Sequence, residues 1–127
     1  MEHFAIEREI SEKAKEWVDE YGEEFLEELI DVYLEDTPNR LVQLRQALDG
    51  GDTETLIREA HTLKSSSANL GAMALSALAK TMEFAGRNGK LADMETEVRQ
   101  FEQQFAQVKT TLETIRKSAK QMLSQER

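Results

Sequence analysis

The chain has 127 residues, 39% hydrophobic and 32% charged, enough to bury a core and too apolar to stay disordered. It contains no cysteine, which excludes disulfides and thiolate metal sites and is compatible with a reducing compartment. A net charge of −9 argues against nucleic-acid binding, which depends on neutralising phosphates, and no run of about 18 apolar residues offers a membrane span.

Strand-type β-branched runs are absent and helix formers dominate, so the expected fold class is all-α. The first element is a short leading helix over about 4–16, with Ile6, Ile10, Ala14 and Trp17 at helical spacing. The second spans about 19–49, through Val18, Tyr21, Phe25, Leu29 and Tyr33 and then Leu41, Leu44 and Leu48. Pro38 either kinks it or starts a new helix with Thr37 as N-cap. The third, about 53–69, opens after Asp52, a good N-cap, and carries Leu56, Ile57, Ala60 and Leu63. The fourth, about 71–86, carries Leu75, Leu78, Ala79 and Met82 and stops before Gly86 and Gly89.

The fifth, about 91–123, has the most regular pattern. Leu91, Met94, Val98, Phe101, Phe105, Val108, Leu112, Ile115, Ala119 and Met122 recur at spacings of three and four. Such a seam suits the last helix of an antiparallel bundle or a coiled-coil dimer. Because the other segments also carry apolar stripes that need partners, the intramolecular bundle is the preferred reading. Short connections make neighbouring helices antiparallel. The expectation is one domain over 1–127: a leading helix at 1–18, an up-down-up-down four-helix bundle over about 19–123 and a frayed tail at 124–127. The first and last long helices should outreach the two central ones.

Charge is unevenly placed. Residues 1–36 carry 14 acids and 3 bases, and the remainder is slightly basic. The acidic half reads as a solvated face. The N-terminal ten residues lack the basic-then-apolar layout of a secretory signal, so a cytoplasmic location is expected.

Only two histidines exist. His3 lies near the terminus and is treated as non-functional. On a wheel of about 100° per residue with Leu56 at zero, Ile57, Ala60, Leu63, Ser67, Leu70 and Gly71 form one apolar face. His61 falls near 140°, off that face, on a ridge with Lys64, Ser65 and Ala68. A free imidazole nitrogen is a competent nucleophile toward phosphorus. Lys64, one turn on, and Arg58, three residues before, are cations placed to offset added negative charge. By periodicity alone, a single histidine on a helix is an ordinary surface residue. The sequence holds no recurring metal-ligand spacing, no recognisable nucleophilic triad and no Gly-rich nucleotide loop. Ser65, Ser66 and Ser67 read as small residues that permit close approach.

The string from Glu59 to Ala72, Glu-Ala-His-Thr-Leu-Lys-Ser-Ser-Ser-Ala-Asn-Leu-Gly-Ala, closely resembles the signature of histidine-phosphotransfer (HPt) domains. The Leu34-to-Pro38 stretch and the Ala47-to-Asp52 turn precede it as in bacterial members, and the resemblance is strongest over about 24–86. It implies that His61 is the phosphoacceptor, that Lys64 neighbours the phosphoryl group and that Gly71 closes the helix. Arg58, Ser65 and Ala68 would meet the docking partner. Ser65 stands where the family often has glycine, and a small residue there should still permit docking. The implied partners are receiver domains of response regulators and of a hybrid sensor kinase. The implied protein is a monomeric phosphorelay intermediate without kinase activity, metal or cofactor of its own, any divalent cation belonging to the receiver. A helical adaptor using the 91–122 seam or the acidic face is the alternative.

Overall fold

A computed structural model describes residues 2–125, with side chains described for 5–121. The elements are α1 (Glu2–Tyr21), α2 (Glu23–Gly50), α3 (Thr53–Asn69), α4 (Met73–Arg87), a 3-10 turn (Leu91–Asp93) and α5 (Glu95–Gln125). α2 packs on α3, α3 on α4, α4 on α5 and α5 back on α2, closing the four-helix bundle, with α1 laid against α2 and α5. Among the described residues no strand occurs, and no helix is long and apolar enough to cross a membrane.

Several boundaries differ from the sequence expectation. The leading helix runs on to Tyr21, because Gly22, at φ 89, is the real joint. Val18 and Tyr21, read above with the second element, therefore belong to α1 together with Trp17. Glu23 and Glu24 then sit in the first turn of α2, where the helix dipole favours acids.

Pro38 does not break α2, and Thr37 is no N-cap. The helix is continuous through both, with Thr37 buried and the proline ring on the exposed face. An internal proline costs roughly 3 kcal/mol. Burial of Leu26, Ile30, Tyr33, Leu44 and Ala47 on either side of it outweighs that cost.

Gly86 does not stop the fourth helix, which starts at Met73 and runs through that buried glycine to Arg87. The fifth starts at Glu95 rather than about 91, because Leu91–Asp93 forms a 3-10 turn that buries Leu91. The turn between α2 and α3 falls where expected. Gly51 ends α2 in the left-handed conformation at φ 69. Asp52 then caps α3 by accepting from Thr55 N at 3.2 Å.

The α5 seam faces inward. Val98, Phe101, Phe105, Val108, Leu112 and Ala119 are buried, so this stripe is covered by the chain's own helices. The Met122 side chain lies outside the described residues. Arg45 forks onto Glu102 at 2.7 and 3.4 Å and also pairs with Glu95. Arg116 reaches Asp31 at 2.9 Å. The residues of both pairs are 14 apart on α2 and on α5, which is what antiparallel neighbours in a single alignment require. Exposed ion pairs add little stability, so these contribute chiefly alignment.

Candidate functional site

α3 is held on both sides by contacts that its sequence supplies. Leu56, Ala60 and Leu63 are fully buried. On the α2 side, the Tyr33 hydroxyl meets Ser67 Oγ at 2.9 Å. Burial pushes the Tyr33 phenol up to about 12, so it remains a donor. On the α4 side, Gly86 lets the two helices approach closely. A Cβ there would stand 2.7 Å from Ile57 Cγ1. Ser76 Oγ donates to the Lys64 carbonyl at 2.9 Å. The serine run is thus partly structural: Ser67 is buried and hydrogen-bonded, Ser65 is exposed.

The end of α3 is fixed as well. Gly71 is buried at φ 79, and a Cβ on it would meet Glu9 O at 2.7 Å and Lys13 Cβ at 2.8 Å. Trp17 Nε1 donates to Asn69 O at 2.6 Å. α1 therefore seats directly on the turn that follows α3.

His61 projects from this braced helix with its side chain 60% exposed. Its Nδ1 lies 2.8 Å from Glu83 Oε2 on α4. Lys64 Nζ donates to Glu83 Oε1 at 2.7 Å, and Arg87 Nη2 donates to Oε2 at 3.0 Å. The Glu83 side chain is 8% exposed. Burial works to raise its pKa, but the bonds from Lys64, Arg87 and His61 outweigh it and lower the value to about 2. Glu83 is therefore ionised, and a carboxylate can only accept. Nδ1 therefore carries a proton, and in the neutral imidazole this tautomer leaves the lone pair on Nε2.

A family model for the Hpt domain matches residues 28–118. The chain belongs to the Hpt domain family. Its fold is similar to that of histidine-containing phosphotransfer protein B (HptB) from Pseudomonas aeruginosa PAO1, with a TM-score of 0.79 and 29% identity, covering 84% of this chain and 92% of that one. It is also similar in fold to the HPT domain of an Hpt sensor hybrid histidine kinase from Shewanella, with a TM-score of 0.54 and 22% identity over 88% and 87% of the two chains. No curated protein sequence matches the chain. Hpt domains are phosphotransfer modules of phosphorelays rather than kinases, and the helical bundle here is of that type.

In this Hpt domain the site residues expected from sequence divide into two groups. His61 and Lys64 are brought together by Glu83. Ser65 lies exposed on the same ridge, and half-buried Ala68 lies beside a groove edged by Glu9, Glu12 and Glu16 of α1. Arg58 is 66% exposed and turns to Glu59, 3.5 Å away, rather than to the imidazole. Glu59 is itself buried and bonded to Arg40 at 2.9 Å. Gly71 lies two residues past the end of α3, after the C-cap Leu70, at positive φ and packed against α1. The His3 side chain lies outside the described residues. No group of three His, Asp or Glu among the described residues is placed to hold a metal ion.

Glu83 and Arg87 were not singled out from sequence. Their signal was present. Glu83 interrupts the apolar stripe of Leu75, Ala79, Met82 and Gly86, and an acid in such a position needs a cationic partner. Arg87 is four residues on, one turn away on the same face. What the sequence lacked was the alignment of α4 against α3.

Proposed function

We propose that His61 is the phosphoacceptor of a phosphorelay, taking a phosphoryl group from the aspartate of one receiver domain and passing it to that of another. The observation that carries this reading is the pairing of Nδ1 with ionised Glu83 on an otherwise exposed imidazole. The Nε2 lone pair attacks the phosphorus of the aspartyl phosphate. A P–N bond forms, the P–O bond to the aspartate breaks, and the carboxylate leaves with the electron pair. In the neutral imidazole Nε2 needs to lose no proton. The ring gains positive charge while Nδ1 keeps its hydrogen, and Glu83 stabilises that charge.

Lys64 and Arg87 share Glu83 in the resting site and sit within a side-chain swing of the new phosphoryl group, where either can offset its charge. The receiver supplies any divalent cation and the aspartate. This chain supplies an oriented nucleophile, so it acts as an intermediate rather than as a kinase. The adaptor alternative loses its main motive, since the α5 seam is covered within the chain.

The test is phosphotransfer from a labelled receiver domain to the purified protein, wild type beside His61→Gln. Acid-labile, alkali-stable label on wild type alone is the expected result. Equal labelling of His61→Gln, or none of wild type by several receivers, would refute the proposal.

A further inference from the structure

Between Thr55 and Ala92 the chain carries five Lys or Arg and only two acids. Those acids, Glu59 and Glu83, are both buried and ion-paired. The α3–α4 hairpin therefore presents Arg58, Lys64, Lys80, Arg87 and Lys90 and exposes no carboxylate, in a protein of net charge −9. Exposed acids resume at Glu54 before this stretch and along α1 beside Ala68.

Set in this surface is Phe84, 68% exposed. Single exposed apolar residues are common and need no explanation. The position of Phe84 is what distinguishes it. Lys80, Phe84 and Arg87, spaced by four and three, form one exposed ridge of α4. The residue directly before Phe84 is Glu83, bonded to His61. Arg87 of this ridge bonds the same Glu83 oxygen that holds His61 Nδ1, which ties the ridge to the imidazole. Val32, 65% exposed on α2, has no such setting.

An occupant of this face must fit an aromatic ring flanked by cations. A second copy meeting this face with its own would set cations against cations. A receiver domain that brings a phosphorylated aspartate, and the carboxylates that hold a divalent cation, brings the opposite charge.

We propose that Phe84 is the apolar anchor on which an acidic phospho-receiver domain seats, with Lys80 and Arg87 flanking it, so that Phe84 sets partner affinity rather than the rate of the chemical step. This rests on the phosphotransfer reading of His61. Aromatic residues at the centre of an interface commonly carry most of its affinity, and flanking charges mainly set encounter.

The experiment is transfer rate against receiver concentration, for wild type, Phe84→Ala, Phe84→Leu, Lys80→Glu and Val32→Ala. Phe84→Ala should raise the half-saturating receiver concentration about tenfold or more, with the saturating rate changed by less than about twofold. Phe84→Leu should recover most of the loss, Lys80→Glu should weaken binding with a smaller salt dependence, and Val32→Ala should match wild type. An unchanged half-saturation in Phe84→Ala overturns the anchor while leaving the phosphotransfer reading intact. So does a fall in saturating rate alone. A Phe84→Ala change that alters only self-association would assign the face to a second copy instead. Failure of wild type to be labelled at all would remove the phosphotransfer reading, and the anchor with it.

Discussion

Glu83 Oε2 lies 2.8 Å from His61 Nδ1, joining two residues 22 positions apart on adjacent helices. This bond fixes the tautomer and the direction of an imidazole that is otherwise mostly in water. Partners that orient a reactive histidine commonly matter nearly as much as the histidine itself.

Replacing Glu83 should therefore slow transfer without removing the nucleophile. Glu83→Ala is expected to lower the single-turnover rate of His61 labelling by roughly tenfold or more. Glu83→Gln keeps an acceptor for Nδ1–H and should retain more activity than the alanine variant. Rapid-quench labelling at saturating receiver checks both. Wild-type rates in Glu83→Ala would mean that the bond does not orient the ring.

The same carboxylate makes stability depend on pH. Its pKa is about 2 in the folded protein against an ordinary 4.5. A lowered folded value means that the contribution is complete above about 4.5 and is lost as pH falls toward 2. Asp52 and Glu95 are lowered too, by bonds from Thr55 and from Arg45 respectively, so the informative quantity is a difference. The gap in denaturation midpoint between wild type and Glu83→Gln should narrow between pH 4.5 and 2. Urea titrations across that range provide the measurement, and a gap constant with pH would contradict it.

Gly71 and Gly22 separate backbone strain from crowding. Both have positive φ, but a Cβ on Gly22 meets nothing while one on Gly71 strikes Glu9 and Lys13. Gly22→Ala should cost about 1–3 kcal/mol through the backbone alone, since φ 89 with ψ 168 is a region open essentially to glycine only. Gly71→Ala should cost about 1–3 kcal/mol more through overpacking against α1. Equal unfolding midpoints for the two variants would show that α1 yields freely at this contact.

Leu63 tests the division between scaffold and chemistry. It is fully buried beneath the helix that carries His61. Leu63→Ala should lose roughly 2–5 kcal/mol of stability. Below its unfolding transition it should still transfer the phosphoryl group. A folded Leu63→Ala protein that cannot be labelled would place Leu63 in the chemistry.

Much of this arrangement was determined by local sequence. Helical periodicity fixes five helices and their inward faces, because burial of a stripe at spacings of three and four needs no knowledge of the partner. Asp52 and Gly51 mark a cap and a turn by chemistry confined to four residues. His61 and Lys64 share a ridge for the same reason. Local rules misjudged the stretches where tertiary packing outweighs them. Pro38 left a kink and a new helix start both open, and α2 continues through it because its flanking stripe is buried. Gly22 separates α1 from α2 at φ 89, and α1 lays Ile10 and Ala14 on the bundle.

The site itself was decided by tertiary structure. The sequence supplied a histidine and a lysine one turn apart on α3, and an acid on α4 whose purpose was not apparent. Only the close packing of α3 on α4, permitted by Gly86 against Ile57, sets Glu83 opposite both. The physical reason is that periodicity fixes which face a residue occupies within its own helix, whereas hydrogen bonds between helices depend on their relative sliding and rotation. Those are set by side-chain volumes across the whole core.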